Sequence, residues 1–335
     1  MHVLILFNRV ATTASADELD VLKQVTVVEA ALLELGHSSS RLPCTLDLHA
    51  TRGEMERARP DAVFNLVESL DGTDRLMPAA TILLDAIGVP YTGGSTLAML
   101  TTSRKLDCKR RLVEAELPTP AWLDPQTSHW HGRRDGFDPQ SRVIVKAVAE
   151  HASLGLSDAS IINIAGDTAA ATRAVADRSR QFGTPFFAEA FVEGREFNLS
   201  LLARTGAVDV LPHAEIEFVN FEPGRPRIVG HAAKWVEDSA EYQNTPRCFE
   251  FSSADNTLLT ELTTLAQKCW AVFGLRGWAR VDFRVDADGR PWILEINVNP
   301  CLSPDAGFAA AAARAGLSFA EVVQRILDDL NGATR

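Results

Sequence analysis

The 335-residue sequence predicts a fold of mixed class, α/β at its start and α+β after it, in three domains at about residues 1–100, 101–192 and 193–335. Two observations predict the first part: apolar strands alternate with helical stretches, and each of those stretches stops at a glycine. A third predicts the last part, a pair of alternating strands around a turn signal between residues 279 and 298.

Val3 to Phe7 is a continuous apolar run, read as a buried strand. Within Asp17 to Leu35, apolar residues recur at helical spacing (Leu19, Leu22, Val25, Val28, Leu32, Leu35), and Gly36 follows as a stop. Ala62 to Val67 reads as another buried strand, and Arg75 to Ile87 as a helix ending at Gly88. This order predicts a parallel sheet flanked by helices. Ser103 to Glu116 reads as one helix, broken by Leu117-Pro118-Thr119-Pro120, and Asp124 to Ser141 as a surface loop rich in turn formers and charge. Arg142 to Ala147 (strand), Thr168 to Phe182 (Ala-rich helix) and Phe186 to Ala190 (strand) complete the middle domain. Phe197 to Ala203, Val208 to Leu211 and Ile228 to Trp235 are expected strands. Thr257 to Phe273 is an expected long amphipathic helix, and Phe308 to Leu330 is helical with a break near Gly316.

Hydrophobic residues make up 46% and charged residues 23%, so a packed core is expected and disorder is not. The net charge of −11 disfavours a phosphate backbone as partner, so no nucleic acid is expected, while a local basic pocket for a nucleotide remains allowed. Five scattered cysteines without CxxC or Cys/His spacing read as reduced thiols in a cytoplasm. Residues 1–7 lack the basic start of a signal peptide, and no apolar run is long enough to span a bilayer, so no membrane partner is expected. His129-Trp130-His131 has no companion ligands and reads as surface.

The hairpin is the most informative segment. Val281, Phe283 and Val285 form one apolar face of its first strand, and Trp292, Leu294 and Ile296 the expected matching face of the second. A register pairing Phe283 with Leu294 sets Asp282 opposite Glu295 and Arg280 opposite Asn297. Directly opposed carboxylates destabilise a sheet unless something offsets their repulsion. Mg²⁺ takes oxygen ligands and is commonly held by one or two carboxylates plus substrate phosphates. Asp282, Glu295 and Asn297 therefore form a candidate metal site, with Arg280 beside it to neutralise an oxyanion. Alone, such a pair is more often an ordinary solvated face.

With Arg280-Val281-Asp282 and Glu295-Ile296-Asn297 in view, the sequence resembles the ATP-grasp superfamily, and within it the D-alanine–D-alanine ligase group, over nearly its whole length. The resemblance implies an ATP-grasp fold with an N-terminal Rossmann-like (pre-ATP-grasp) domain, two Mg²⁺ ions (Mn²⁺ also acceptable) and ATP. Asn65-Leu66-Val67-Glu68 and Gly88 to Gly93 resemble the first domain of these ligases. Lys105 and Lys146 match phosphate-contacting lysines, and Glu150 to Gly155 resembles the phosphate-covering loop with Ser153 as its hydroxyl. Phe187 to Val192 resembles the hinge, where Glu189 would accept the adenine amino group and Ala190, Phe191 and Val192 would complete the base edge. Glu196 would bind ribose hydroxyls, and Lys234 matches a further phosphate lysine. Taken singly, Lys105 or Glu189 is an ordinary surface charge; their joint order gives the set its meaning.

The reaction so implied joins a small-molecule carboxylate to an amine through an acyl phosphate, with Arg280, Lys234 and Ser153 as catalytic groups and a homodimer allowed. The acceptor half departs from the family. No equivalent is evident for the acid that holds the first substrate's ammonium, although Asp17 or Glu18 could substitute. Cys301 replaces a glycine, Ala306-Gly307 replaces a Ser-Leu pair that grips the second substrate's carboxylate, and His151-Ala152 stands where Gly-Ser is common. Substrates other than a D-alanine pair are therefore expected. The rivals are D-alanine–D-alanine ligase itself, an inactive nucleotide-binding protein, and an ATP-grasp kinase. Cys301 reads as a small residue filling the glycine's place, not as a nucleophile.

Overall fold

A computed structural model describes residues 1–10, 16–132, 142–149, 154–165, 167–236 and 238–332. The chain opens with β1 (His2–Asn8), α1 (Ala16–Glu34), β2 (Ser38–Cys44), α2 (Leu48–Ala58), β3 (Ala62–Leu66) and α3 (Pro78–Ile87). The three strands form a parallel sheet in the order β2-β1-β3. Helices cover both faces, as burial of β1 and β3 on both sides requires. Val3, Ile5 and Phe7 face α1, while Leu4, Leu6 and Val63 face the side that carries Met55 and Leu84. Gly36 adopts φ +76 and closes α1. Strand β2 and helix α2 were not expected from the sequence.

Residues Ser103 to Glu116, expected as one helix, divide into α4 (Thr96–Ser103) and α5 (Lys105–Glu114). Arg104 between them is extended, with φ −104 and ψ 104. Both helices pack on the C-terminal sheet through Ala98, Met99, Cys108 and Leu112. The central unit is an antiparallel sheet of β4 (Trp122–Leu123), β5 (Trp130–His131), β6 (Arg142–Ala147), β7 (Ile161–Asn163) and β8 (Phe186–Ala190), ordered β5-β4-β8-β6-β7. Helix α6 (Thr168–Phe182) covers it through Ala171 and Val175.

The third sheet has the order β12-β11-β9-β13-β14, with β10 also on β9. Its strands are β9 (Arg195–Arg204), β10 (Ala207–Val210), β11 (Ala214–Ile216), β12 (Arg247–Cys248), β13 (Trp278–Val285) and β14 (Pro291–Val298). Between β11 and β12 lie α7 (His231–Trp235) and α8 (Ala240–Gln243). The expected strand Ile228 to Trp235 is thus corrected: Gly230 caps a short helix there. Helix α9 (Asn256–Phe273) packs on one face of this sheet, and α10 (Gly307–Arg314) and α11 (Phe319–Asp328) join α1 and the first sheet in a shared core. Trp278 belongs to that shared core. It stacks on Phe64 with centroids 5.7 Å apart and donates from Nε1 to the Pro300 carbonyl at 2.8 Å.

Two further connections tie the first sheet to the third. Gly94 N–H donates to Asn299 Oδ1 at 2.9 Å, and the Gln24 side chain accepts the Leu302 N–H at 2.9 Å. Gly93 must be glycine here: its φ is +84, and a Cβ would lie 2.1 Å from Asn299 Oδ1. All five cysteines are free, and among the described residues no helix is long and apolar enough to cross a membrane.

Candidate active site

Strands β13 and β14 pair as expected at the polar positions, Asp282 with Glu295 and Arg280 with Asn297. The expected pairing of Phe283 with Leu294 is corrected, because the register shifts there and Phe283 pairs with Ile293. One extra residue in β14 makes a bulge. Ile293 and Ile296 therefore enter the core in place of the expected Trp292, Leu294 and Ile296 set, and the two residues between them, Leu294 and Glu295, both line the cleft. Trp292 instead donates from Nε1 to Asp286 Oδ2 at 2.9 Å.

Asp282 is 6% exposed and saturated with donors. Arg280 reaches it with Nε at 2.7 Å and Nη2 at 2.8 Å, Asn198 with Nδ2 at 2.9 Å, and Asn297 with Nδ2 at 3.0 Å. Asn297 Nδ2 also lies 3.4 Å from Glu295 Oε1, and Lys105 Nζ lies 3.2 Å from Glu295 Oε2. Burial works against the Arg280 charge, but Asp282 overrides it, and the guanidinium titrates above its ordinary range. Asn198 was missed in the sequence, although it stands on the polar side of a strand whose alternate residues, Phe197, Leu199 and Leu201, are core. Among the described residues no three His, Cys, Asp or Glu side chains cluster as a metal site. The donor set is two carboxylates and one carboxamide, which fits a hard cation that completes its shell with phosphate oxygens and water. Turning the Asn297 amide over would add its oxygen to that set.

On the neighbouring strand Glu196 pairs with Arg284 at 2.7 Å. Burial raises the Glu196 pKa and the Asp282 charge adds to that, while Arg284, Lys234 and Lys146 oppose it. Lys234, on α7, has its pKa lowered first by burial; Glu295 opposes the shift and Arg280 reinforces it.

The opposite wall is the central sheet. Glu189 on β8 is 1% exposed and lies between two lysines, with Lys146 Nζ 2.7 Å from Oε1 and Lys109 Nζ 2.5 Å from Oε2. Burial alone would raise the Glu189 pKa, but the two ammonium charges override it and hold the carboxyl below its ordinary range. Lys109 was missed: in the sequence it is one charge in a basic run.

The first sheet and α1 close the far end of the cleft. The side chains of Asp17 and Glu18 lie outside the described residues, but Asp20, further along α1, lines the cleft at 6% exposure. Ser303 Oγ donates to its Oδ2 at 2.7 Å, and the Cys301 thiol lies 2.9 Å from the same oxygen. Gln24 donates to Glu68 at 2.9 Å, placing a second carboxylate nearby. Burial, then the charges of Glu68 and Asp20, push the Cys301 thiol well above its usual range, which keeps it protonated. Arg247 lies over the start of α10, where Nη1 donates to the Asp305 carbonyl at 3.3 Å.

One cleft of about 1210 Å³ receives side chains from all three sheets. Lys105, Lys146, Glu189, Ala190, Phe191, Val192, Glu196, Lys234, Arg280, Asp282, Glu295 and Asn297 all line it. Of the expected site residues, Ser153 lies outside the described residues. The cleft thus joins a carboxylate and carboxamide set that fits a hard cation, several ammonium groups and an acidic end, an arrangement suited to a polyanion held beside a substrate with an ammonium group.

Residues 117–328 match the family model described as D-ala D-ala ligase C-terminus. A D-alanine–D-alanine ligase from Methylococcus capsulatus is 30% identical over 331 residues, covering 96% of this chain and 96% of that protein. One from Moorella thermoacetica is 28% identical over 319 residues, covering 92% and 93%. The crystal structure of D-alanine–D-alanine ligase from Bacillus anthracis complexed with ATP superposes with a TM-score of 0.70 over 99% of this chain and 98% of that one, at 18% identity.

Proposed function

This chain belongs to the D-alanine–D-alanine ligase family, and from that premise we propose that its cleft joins the carboxylate of one D-alanine to the amine of a second. It is an ADP-forming ATP-grasp ligase of carboxylates and amines that uses ATP and Mg²⁺. The reading is carried by a single observation: the Asp282, Glu295 and Asn297 oxygens, the lysines Lys105, Lys146 and Lys234, and the carboxylates Asp20 and Glu68 converge on one cleft. The expectation of substrates other than a D-alanine pair has less support than this alternative. The relatives are named for D-alanine, and Asp20 and Glu68, which both line the cleft, would supply the acid that the sequence did not reveal.

Bound at Asp282, Glu295 and Asn297, Mg²⁺ would neutralise charge on the phosphate oxygens. Lys105, Lys146 and Lys234 would hold the same oxygens, with the Ser153 hydroxyl completing the set. Glu189 and the backbone of Ala190, Phe191 and Val192 would read the base, Glu196 the ribose, and Leu294 would supply an apolar floor. Asp20 and Glu68 would hold the first substrate's ammonium. Its carboxylate oxygen then bonds to the γ-phosphorus as the bond to the ADP oxygen breaks. The free amine of the second substrate bonds to the acyl carbon, phosphate leaves with the carbon–oxygen electron pair, and the nitrogen loses a proton. Arg280 would stabilise the oxyanion between those bond changes.

A second reading, another amino acid as acceptor, is favoured by Ala306-Gly307, which offers no hydroxyl and lies beneath the Arg247 guanidinium. Phosphate release with D-alanine alone, against a pool of amino acids and dipeptides with mass-spectrometric product detection, separates the two. D-alanyl-D-alanine from D-alanine alone is the expected result; product only from the pool overturns the first reading in favour of the second.

A further inference from the structure

Helix α5 carries two lysines one turn apart, and they reach carboxylates on different sheets. Lys105 lies 3.2 Å from Glu295 on β14, and Lys109 lies 2.5 Å from Glu189 on β8. Residues i and i+4 share a helix face, so a single rigid element spans the cleft from the cation ligands to the central wall. Lys109 is 1% exposed; its ammonium is ion-paired with Glu189 and donates to Thr119 Oγ1 at 2.7 Å and to the Pro120 carbonyl at 3.0 Å. The Thr119 hydroxyl in turn donates to the Ile293 carbonyl at 2.9 Å, and the Ile293 N–H donates to the Pro118 carbonyl at 2.8 Å. Ile293 immediately precedes the bulge that turns Leu294 and Glu295 into the cleft.

We propose that Lys109 is a positioning residue that fixes Glu189 as an acceptor-only reader of the nucleotide base, so that the cleft accepts 6-amino purines and rejects 6-oxo purines. This rests on the reading of the cleft as a nucleotide site. An ionised carboxylate has about four lone-pair directions and no hydrogen to give. Two are taken by Lys109 and Lys146; the rest accept from an exocyclic amine. A 6-oxo base would set its own oxygen against that charge, and a polar site left mispaired discriminates strongly. Without the Lys109 charge, a carboxyl this deeply buried takes up a proton more readily and can then donate to a 6-oxo group. Discrimination would fall, and it would return as pH is raised.

The test is calorimetric binding of ATP and inosine triphosphate with Mg²⁺, between pH 6 and 9, for the full-length wild type, Lys109→Met and Lys109→Gln. The glutamine variant removes the charge but keeps an N–H donor on a shorter polar side chain, so it serves if the methionine variant fails to fold. The expected result is a wild-type preference for ATP that falls at least about tenfold in the variants at low pH and recovers at high pH. Equal weakening of both nucleotides, with the preference intact and flat in pH, overturns the role of Lys109 and leaves the nucleotide site standing. A wild type that binds both equally overturns the reading of Glu189 itself.

Discussion

Asp282 and Glu295 stand directly opposite one another across the β13–β14 ladder, and the amide of Asn297 reaches both. Two like charges held this close form a costly pair unless cations complete them. Asp282→Asn is expected to lower ADP formation by about 10²- to 10³-fold. Its Mg²⁺ titration should also shift to higher concentration. Steady-state rates across Mg²⁺ concentrations check this; a variant within about threefold of wild type at all of them removes Asp282 from the cation site.

Asp20 joins α1 to the loop after β14 through Ser303 and Cys301. If its carboxylate also holds the first substrate's ammonium, Asp20→Asn removes a charge-assisted hydrogen bond worth about 1.5–3 kcal/mol. KM for the first amino acid should then rise about 10- to 100-fold, with the affinity for ATP unchanged. Initial rates fitted separately for the two amino-acid sites, together with ATP calorimetry, give both numbers. An unchanged KM assigns Asp20 to holding the loop alone.

Glu189 links stability to pH. Its folded pKa lies below the 4.5 of the unconstrained group, because Lys109 and Lys146 outweigh burial. A depressed carboxyl contributes stability that is fully present above pH 4.5 and is lost as pH falls below that value toward the folded pKa. Urea titrations from pH 7 to pH 3 should show the wild type losing stability more steeply below pH 4.5 than Glu189→Gln. Parallel acid limbs would show that the pair contributes no net linkage.

Trp278 stacks on Phe64 and is fully buried in the core shared by the first sheet, the third sheet and the terminal helices. Trp278→Ala should cost about 3–5 kcal/mol by the usual penalty for an emptied aromatic site. Equilibrium urea unfolding followed by circular dichroism measures it. A loss under about 1 kcal/mol would mean the two sheets hold together without this contact.

The pairing of Asp282 with Glu295 was legible in the sequence because the alternation on this side of the ladder pins register: burying Val281 and Ile296 sets the two carboxylates opposite each other. The bulge was not legible, since Leu294 bears neither glycine nor any other local mark, and either Ile293 or Leu294 satisfies an apolar core position. Strand β2 escaped for a related reason. Its run Ser38 to Cys44 is polar and contains Pro43, tolerable only because β2 lies at a sheet edge. Residues Ile228 to Trp235 read equally as strand or helix over so short a span, and only Gly230 at the cap decides. Lys109 and Asp20 meet partners 80 and 283 residues away, Glu189 and Ser303, and no local pattern reports such distances.

The extra residue in β14 bears on how this hairpin can drift over generations. An ordinary surface loop absorbs the gain or loss of a codon with little consequence. Deleting Leu294 would leave a regular ladder in which Phe283 still meets Ile293 and Asp282 still meets Glu295, so the carboxylate pair stays in place while the cleft loses the Leu294 side chain. The hairpin can therefore lose this codon with its fold and its Asp282–Glu295 pair intact, and what drifts is the apolar lining that the bulge turns into the cleft.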